Sequence, residues 1–201
     1  PYCHSRDLVY LKENRYPIVT EKINEYLESH RKDLDGIYIS GGEPLMHEGV
    51  VSFLQYAKTL NYKIKIHTNG MFYERLKTIL LQQLVDHISL DIKNAPSAYA
   101  KTCGVEDMNL KDIEKSLSLL KKSLVPYDIC VTLVDELHNE ATIQELGQWI
   151  QGVDTVILQP FEDSETTIDH SLHRPSFEMV LKYKKILEKY VKYVKIRGNQ
   201  A

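Results

Sequence analysis

Short apolar runs rich in β-branched residues alternate along the chain with longer stretches whose apolar residues recur at helical spacing. The runs that predict strands cover residues 37–40, 63–67, 87–92, 127–134, 155–158 and 193–197. The stretches that predict helices cover residues 18–34, 47–60, 73–84, 109–123, 142–151 and 176–191. This alternation is typical of an α/β fold with a mostly parallel sheet. About six βα units favour a partial, open TIM-like barrel, and a doubly wound sheet is the alternative architecture.

Three segments show neither pattern and are predicted to be loops. Residues 1–14 lack a clear period, and Tyr16-Pro17 is predicted to open the first helix because proline suits a first helical turn. Residues 94–108 contain Pro96, Gly104 and few apolar side chains, so we expect a surface loop there. Residues 162–174 are polar and acidic, which predicts a flexible loop. Because no linker or low-complexity segment interrupts the alternation, we expect one domain over residues 1–201.

The charge balance bears on the kinds of partner that the chain can have. With a net charge of −3 and a pI near 6.3, the chain does not offer the basic surface that nucleic acids and anionic membranes prefer. No apolar run approaches the length of a membrane span. The three cysteines are widely spaced and odd in number, which argues against a disulfide scaffold and favours the cytoplasm.

The first predicted strand ends in the sequence Ser40-Gly41-Gly42-Glu43-Pro44. Two glycines at a strand end allow a sharp turn and expose backbone N–H and C=O groups to a ligand. The carboxylate of Glu43 is then held beside those groups, where it suits an ammonium group. An ordinary strand-to-helix turn is the alternative for this segment taken alone.

Polar side chains also follow the other predicted strands. They are Thr68-Asn69-Gly70, Asp91 with Lys93, Thr132 with Asp135, Gln159 with Phe161, and Arg197. Because the carboxyl ends of parallel strands meet at one edge of a sheet, we expect these groups to converge. Together they suit a zwitterionic, hydroxylated small molecule better than a bare phosphate. No glycine-rich phosphate loop and no Ser/His/Asp nucleophile motif is present in the sequence.

Two of these residues, Asp91 and Lys93, stand two positions apart, so their side chains face the same side of a strand. A ligand-binding pair and a simple strand-end salt bridge are equally good interpretations of this spacing. The histidines and cysteines do not form the paired motifs of a zinc site, and we expect Cys103 and Cys130 to be inert thiols.

Three of these strand-end motifs, together with a motif near the start of the chain, resemble the radical S-adenosylmethionine superfamily. They are Tyr2-Cys3-His4, Gly41-Gly42-Glu43-Pro44, Thr68-Asn69-Gly70 and Asp91-Ile92-Lys93. The chain is most similar to the branch that activates glycyl-radical enzymes, in particular to the activating proteins of anaerobic ribonucleoside-triphosphate reductases. The segments Leu158-Gln159-Pro160-Phe161 and Ile196-Arg197-Gly198 add to this resemblance, which keeps the same order over nearly the whole chain.

The resemblance implies an enzyme that cleaves S-adenosylmethionine reductively and generates a glycyl radical on a partner protein. It implies a [4Fe–4S] cluster held by a CxxxCxxC motif, of which Cys3 matches the third cysteine. Flavodoxin or ferredoxin would be the electron donor, and anaerobic ribonucleotide reductase the expected partner.

The resemblance also assigns residues to the bound S-adenosylmethionine. Tyr2 matches the aromatic residue before the third cysteine, and the segment of Gly41, Gly42 and Glu43 matches the one that holds the methionine amino group. Lys93 would face the methionine carboxylate and Asp91 the ribose. The predicted cofactor-binding set also includes three residues at strand ends, which are Asn69, Thr132 and Gln159.

Three departures from the family pattern stand out. The first two cluster cysteines are absent, so we expect the chain to be N-terminally truncated, without a first strand and most of the cluster loop, and inactive in this form. His67 stands where the family commonly has Asp, and Cys130 where related activating proteins have Arg. A clusterless S-adenosylmethionine-binding or protein-interaction module, and a radical enzyme that acts on a small molecule or peptide, are the alternative functions.

Overall fold

The structure is a computed structural model that describes Tyr2 and residues 20–198. Apart from Tyr2, the predicted loop over residues 1–14 lies outside the described residues, and so do the predicted helix start at Tyr16-Pro17 and the predicted cluster ligand Cys3. The first described helix begins at Thr20 and ends at Ser29.

The described residues form six strands and seven helices. The strands are β1 (Gly36–Ile39), β2 (Lys63–Thr68), β3 (His87–Asp91), β4 (Tyr127–Leu133), β5 (Thr155–Pro160) and β6 (Tyr193–Ile196). The helices are α1 (Thr20–Ser29), α2 (Val50–Thr59), α3 (Tyr73–Leu81), α4 (Pro96–Cys103), α5 (Lys111–Lys121), α6 (Glu140–Trp149) and α7 (Phe177–Leu187). A short 3₁₀ turn (Pro44–Met46) precedes α2.

All six strands are parallel and lie side by side in the order in which they occur in the chain. A doubly wound sheet is excluded, because its strand order reverses direction within the sheet. The predicted open, partial TIM-like barrel is therefore confirmed.

Alternation along each strand separates an apolar from a polar side of the sheet. In β2, Ile64 and Ile66 are fully buried in the hydrophobic core, whereas Lys65 and His67 between them are half-buried. Right-handed crossovers place successive helices on the same side of a sheet whose strands follow in order. The opposite side is called the inner face here. It carries Tyr38, Lys65, His67, His87, Ser89, Asp91, Asp128, Cys130, Thr132 and Gln159.

The predicted surface loop over residues 94–108 is wrong, because this segment contains helix α4. Pro96 occupies the first turn of α4, and Gly104 ends it with a positive φ of 75°. Tyr99 and Thr102 of α4 are buried, so the helix contributes to the interior rather than to the surface.

The segment over residues 162–174 has no helix or strand, yet part of it is buried. Leu172 packs in a small apolar cluster with Tyr2, Val134 and Phe161. Thr167 is fully buried. The segment therefore packs against the end of the sheet near Tyr2. No helix among residues 20–198 combines the length and the apolar character that a membrane span requires.

Candidate functional site

The carboxylate of Glu43 joins the end of β1 to the end of β2. Its Oε1 accepts hydrogen bonds from the backbone N–H of Leu45, at 3.0 Å, and from the hydroxyl of Thr68, at 2.7 Å. Its Oε2 accepts a hydrogen bond from the backbone N–H of Asn69, at 2.7 Å. Gly41 permits the turn before it, since its φ of 122° is strained for any side chain. Burial raises the pKa of Glu43 despite these donors.

Lys93 forms an ion pair with Asp91, so the salt bridge that the two-residue spacing predicted is present. The Lys93 ammonium also lies 5.5 Å from the centre of the Tyr2 ring, within cation–π range. Burial alone would lower the pKa of Lys93, but the negative charge of Asp91 outweighs it and holds this pKa well above its usual range. Lys93 is therefore a fixed positive charge at the carboxyl end of β3.

His138, which the sequence analysis did not single out, holds the backbone of Lys93 in place. Its Nδ1 accepts a hydrogen bond from the backbone N–H of Val134, at 3.1 Å, and its Nε2 lies 3.0 Å from the carbonyl oxygen of Lys93. Burial lowers the pKa of His138, so the imidazole is neutral and its Nε2–H donates to Lys93. A lone histidine after a strand gives little signal, which is why the sequence did not reveal it.

His67 lies beside this group with one nitrogen paired and one not. Its Nδ1 is 2.8 Å from the hydroxyl of Tyr38 across the neighbouring strand. Its Nε2 is buried and has no hydrogen-bond partner among the described residues. Burial lowers the pKa of His67, although the nearby charge of Asp91 acts in the opposite direction.

These residues surround a polar cavity of about 130 Å³ at the carboxyl ends of β1, β2 and β3, called the polar cleft here. Its lining residues are Ser40, Gly41, Gly42, Glu43, His67, Thr68, Asn69, Asp91 and Lys93. The strand-end residues of the first three strands thus converge as expected. Thr132 and Gln159 lie opposite each other on β4 and β5 and do not line the cleft, so their contact with a ligand stays a prediction.

A larger cavity of about 660 Å³ lies on the other side of the Gly-Gly-Glu-Pro turn, between α1 and α2. Apolar side chains such as Ile23, Val50 and Phe53 form much of its wall. It shares Ser40, Gly42 and Glu43 with the polar cleft, and none of the described residues in its lining is a lysine or an arginine.

A second polar group lies on the inner face around Asp128. The carboxylate of Asp128 accepts hydrogen bonds from Ser89, at 2.7 Å, and lies 2.6 Å from Nε2 of His87 and 3.3 Å from the ammonium of Lys65. Cys130 donates a hydrogen bond from Sγ to the same carboxylate. Burial and the charge of Asp128 raise the pKa of Cys130 to about 12, so this residue remains a thiol. Asp128 and Cys130 stand two positions apart on β4, so their side chains face the same side of the sheet. This spacing is the sequence signal that could have revealed the group.

The described residues do not supply the ligands of an iron–sulfur cluster. No group of three or more His, Cys, Asp or Glu residues among them is arranged to hold a metal ion. Cys103 and Cys130 are free cysteines, and the predicted ligand Cys3 lies outside the described part of the chain.

The polar cleft does fit part of a zwitterionic, hydroxylated molecule. It combines a fixed cation, carboxylates and exposed backbone groups, and two of its buried polar atoms, Oδ1 of Asp91 and Nε2 of His67, lack partners among the described residues. Buried polar atoms are normally hydrogen-bonded, so these two atoms suit a ligand that pairs with them. The cleft is smaller than the roughly 300–1,000 Å³ of typical ligand sites, so the rest of a nucleoside-sized ligand would extend along the inner face.

Comparisons with known proteins find similar sequences and similar folds over most of the chain. A protein of Methanocaldococcus jannaschii, provisionally named a glycyl-radical enzyme activating enzyme, is 28% identical over 203 residues, which cover 98% of this chain and 83% of that protein. A solved domain of a pyruvate-formate lyase-activating enzyme from Bacteroides vulgatus has a TM-score of 0.63 at 20% identity, covering 81% of this chain and 99% of that one. Streptococcus suis SuiB bound to S-adenosylmethionine has a TM-score of 0.70 at 13% identity, covering 92% of this chain and 45% of that one.

The two solved structures share the fold of this chain. The sequence model of the Radical SAM superfamily matches residues 1–150, a range that contains β1 to β4 and every residue of the polar cleft. Because this match covers most of the chain together with its candidate site, the chain belongs to the Radical SAM superfamily.

Proposed function

We propose that this chain is the core of an enzyme that activates a glycyl-radical protein and that binds S-adenosylmethionine in the polar cleft. The observation that carries the proposal is the likeness to the Methanocaldococcus jannaschii protein over 98% of the chain. The charges of the cleft support it, since a zwitterion needs both a cation and an anion at its binding site. Anaerobic ribonucleotide reductase is the first partner to test.

Each wall of the cleft has a role in this proposal. The ammonium of Lys93 binds the carboxylate of the methionine part, and the backbone groups of Gly41 and Gly42 with the carboxylate of Glu43 bind its amino group. Asp91 faces the ribose with the oxygen that Lys93 leaves unpaired. Tyr2 lies over the ammonium of Lys93 and packs edge-on against Phe161, which keeps water from one side of the cation.

S-adenosylmethionine, when bound, supplies the radical that removes a hydrogen atom from the partner. The chain's own residues hold and orient the ligand. Glu43 maintains the spacing between the ends of β1 and β2, and His138 maintains the position of Lys93. Since the described residues lack a set of cluster ligands, no step through the cluster is assigned to them.

The test uses the full-length gene product, reconstituted with iron and sulfide without oxygen and then reduced. We expect 5′-deoxyadenosine to form from S-adenosylmethionine, as measured by liquid chromatography. Cys3→Ser should abolish its formation, whereas the matched control Cys103→Ser should leave it intact.

Two outcomes test the cleavage of S-adenosylmethionine separately from the choice of partner protein. A spectroscopically verified cluster without cleavage of S-adenosylmethionine would overturn the proposal and favour a binding module. Cleavage without a glycyl radical on anaerobic ribonucleotide reductase, as detected by electron paramagnetic resonance, would overturn this choice of partner only.

A further inference from the structure

Arg75, in the first turn of α3, binds the backbone of the turn that presents Glu43 to the polar cleft. Its Nη1 donates hydrogen bonds to the carbonyl oxygen of Leu45, at 2.6 Å, and to that of Met46, at 2.7 Å. Both carbonyl groups belong to the 3₁₀ turn (Pro44–Met46) that follows Glu43. The last carbonyl groups of a short helix have no partner within it, and here one charged donor satisfies two of them.

Leu45 in this turn is held through both of its backbone polar groups. Its N–H donates to the carboxylate of Glu43, at 3.0 Å, and its C=O accepts from Arg75. Its side chain is fully buried in the hydrophobic core. The residues that follow Glu43 are therefore fixed by hydrogen bonds on two sides and by packing.

The connection from β2 to α3 supplies the donors on both sides of the turn. Thr68 and Asn69 donate to the carboxylate of Glu43, whereas Arg75 donates to the carbonyl groups that follow it. The guanidinium group of Arg75 also lies 5.8 Å from the centre of the Phe72 ring, within cation–π range. Since Phe72 belongs to the same connection, this contact orients the guanidinium group locally.

The two glycines before Glu43 explain why such support is needed. Gly41 has a positive φ, and a Cβ on Gly42 would meet no atom of the described residues within 4 Å. Glycine has the freest backbone of all residues, so this side of the turn does little to hold the carboxylate. A group that binds a ligand must be held to within about 0.5 Å of its binding geometry. The rigidity therefore comes from the other side, where Arg75 acts.

We propose that Arg75 is a positioning residue for recognition of the ligand's amino group, because it fixes the turn from which Glu43 meets that group. The inference rests on the proposed function, which supplies a ligand with an amino-acid part. Arg75 does not line the polar cleft, so it acts through Glu43 and not by direct contact with the ligand. Its loss should therefore weaken binding of the amino-acid part and spare the adenosine part.

The test compares two probes that share the adenosine part. S-adenosylhomocysteine carries the amino-acid group and 5′-methylthioadenosine lacks it, and both are titrated calorimetrically into full-length, cluster-loaded proteins of equal iron content. We expect Arg75→Met to bind S-adenosylhomocysteine between about fivefold and fiftyfold more weakly than the wild type, since Glu43 is no longer held in place. The affinity for 5′-methylthioadenosine should change by less than about twofold, because that probe makes no contact with Glu43.

Two further variants make the result specific. Arg31→Met is the matched control, since Arg31 is exposed in the turn before β1, at the opposite end of that strand from the polar cleft. It should leave both affinities unchanged. Arg75→Lys keeps the charge but not the planar fork of donors, so it should lose less affinity for S-adenosylhomocysteine than Arg75→Met does. It also replaces Arg75→Met as the test variant if the latter does not fold.

The outcomes distinguish the inference from the function on which it rests. If the test variant keeps both affinities, or loses both alike, the positioning role of Arg75 is overturned and the proposed function stands. If the wild type binds neither probe, or binds both equally well, the inference and the proposed binding of the amino-acid part in the cleft are both overturned. A loss confined to S-adenosylhomocysteine, and absent from Arg31→Met, supports the positioning role.

Discussion

Nε2 of His138 lies 3.0 Å from the backbone carbonyl oxygen of Lys93, so a histidine of the β4–α6 connection fixes the residue that presents the cation of the polar cleft. The two residues are 45 positions apart in the sequence. Asn94, which follows Lys93, is held to the same connection by a 2.7 Å hydrogen bond from its Nδ2 to the carbonyl oxygen of Leu137. The position of the cation thus depends on two neighbouring βα connections rather than on its own strand alone.

Replacing His138 should weaken the fold. His138→Leu leaves the carbonyl oxygen of Lys93 and the N–H of Val134 buried without partners, and we expect the free energy of unfolding to fall by at least about 2 kcal/mol. Urea denaturation followed by circular dichroism measures this change. His170→Leu is the matched control, since His170 is about half exposed, and it should change the stability by less than about 0.5 kcal/mol. Equal effects of the two substitutions would contradict the role of His138.

Stability should fall as the pH drops below about 6.5, the pKa of an unperturbed histidine. Burial lowers the pKa of both His67 and His138 in the folded chain, so the unfolded chain takes up protons first. The stabilisation is therefore complete above about pH 6.5 and is lost as the pH falls towards the lowered pKa values. Denaturation curves between pH 7.5 and 5.5 check this. In His138→Leu, the free energy of unfolding should depend less steeply on pH. An unchanged dependence would exclude His138 as a cause of the pH effect.

Replacing Lys93, the cation of the ion pair with Asp91, should lower the free energy of unfolding. Lys93→Met leaves that carboxylate without its partner, and we expect a loss of about 1–2 kcal/mol. This is less than for a fully buried pair, because the side chains of Lys93 and Asp91 keep 29% and 18% of their exposure. Adding Asp91→Asn to Lys93→Met should restore part of the loss in a double-mutant cycle. Strictly additive effects would show that the two charges do not interact.

Gly70 at the end of β2 should tolerate alanine less well than Gly152 does. Both glycines have a positive φ, 77° for Gly70 and 87° for Gly152, which costs a side chain about 1–2 kcal/mol. A Cβ on Gly70 would lie 2.6 Å from Cδ1 of Leu90, whereas a Cβ on Gly152 would meet no atom within 4 Å. We expect Gly70→Ala to cost at least about 1 kcal/mol more than Gly152→Ala. Thermal denaturation of both variants compares them, and equal losses would mean that Leu90 moves freely.

The strands could be predicted because their sequences are apolar, β-branched and bounded by turns. All six predicted strands are present, and their ends agree with the prediction to within two residues. The predicted helix over residues 47–60 begins later, at Val50, because residues 47–49 form a turn that follows the 3₁₀ turn of Pro44–Met46. Helix α4 was not predicted, because it is short and has only one large buried side chain, Tyr99, which gives little helical periodicity. Pro96 and Gly104, read as loop residues, are in fact its start and stop signals.

The polar cleft could be predicted only in part. Its strand-end residues follow from the geometry of any parallel sheet, which is why Glu43, Asn69 and Lys93 were expected to converge. The contacts between elements could not be predicted, because they depend on strand register and on the path of connections. The contact of Tyr38 with His67, for example, requires β1 and β2 to pair with Ile39 beside Ile66. No periodicity in the sequence carries that information.

The strand order has a consequence for how the chain is made. Among residues 20–198, each strand pairs only with the strands that come immediately before and after it in the sequence. During synthesis on the ribosome, every new strand from β2 onward therefore emerges next to a partner that already exists. In a doubly wound sheet, by contrast, some central strands must wait for neighbours made much later. Folding of this chain can accordingly proceed from β1 towards β6 in step with translation, without a long-lived open edge in the middle of the sheet.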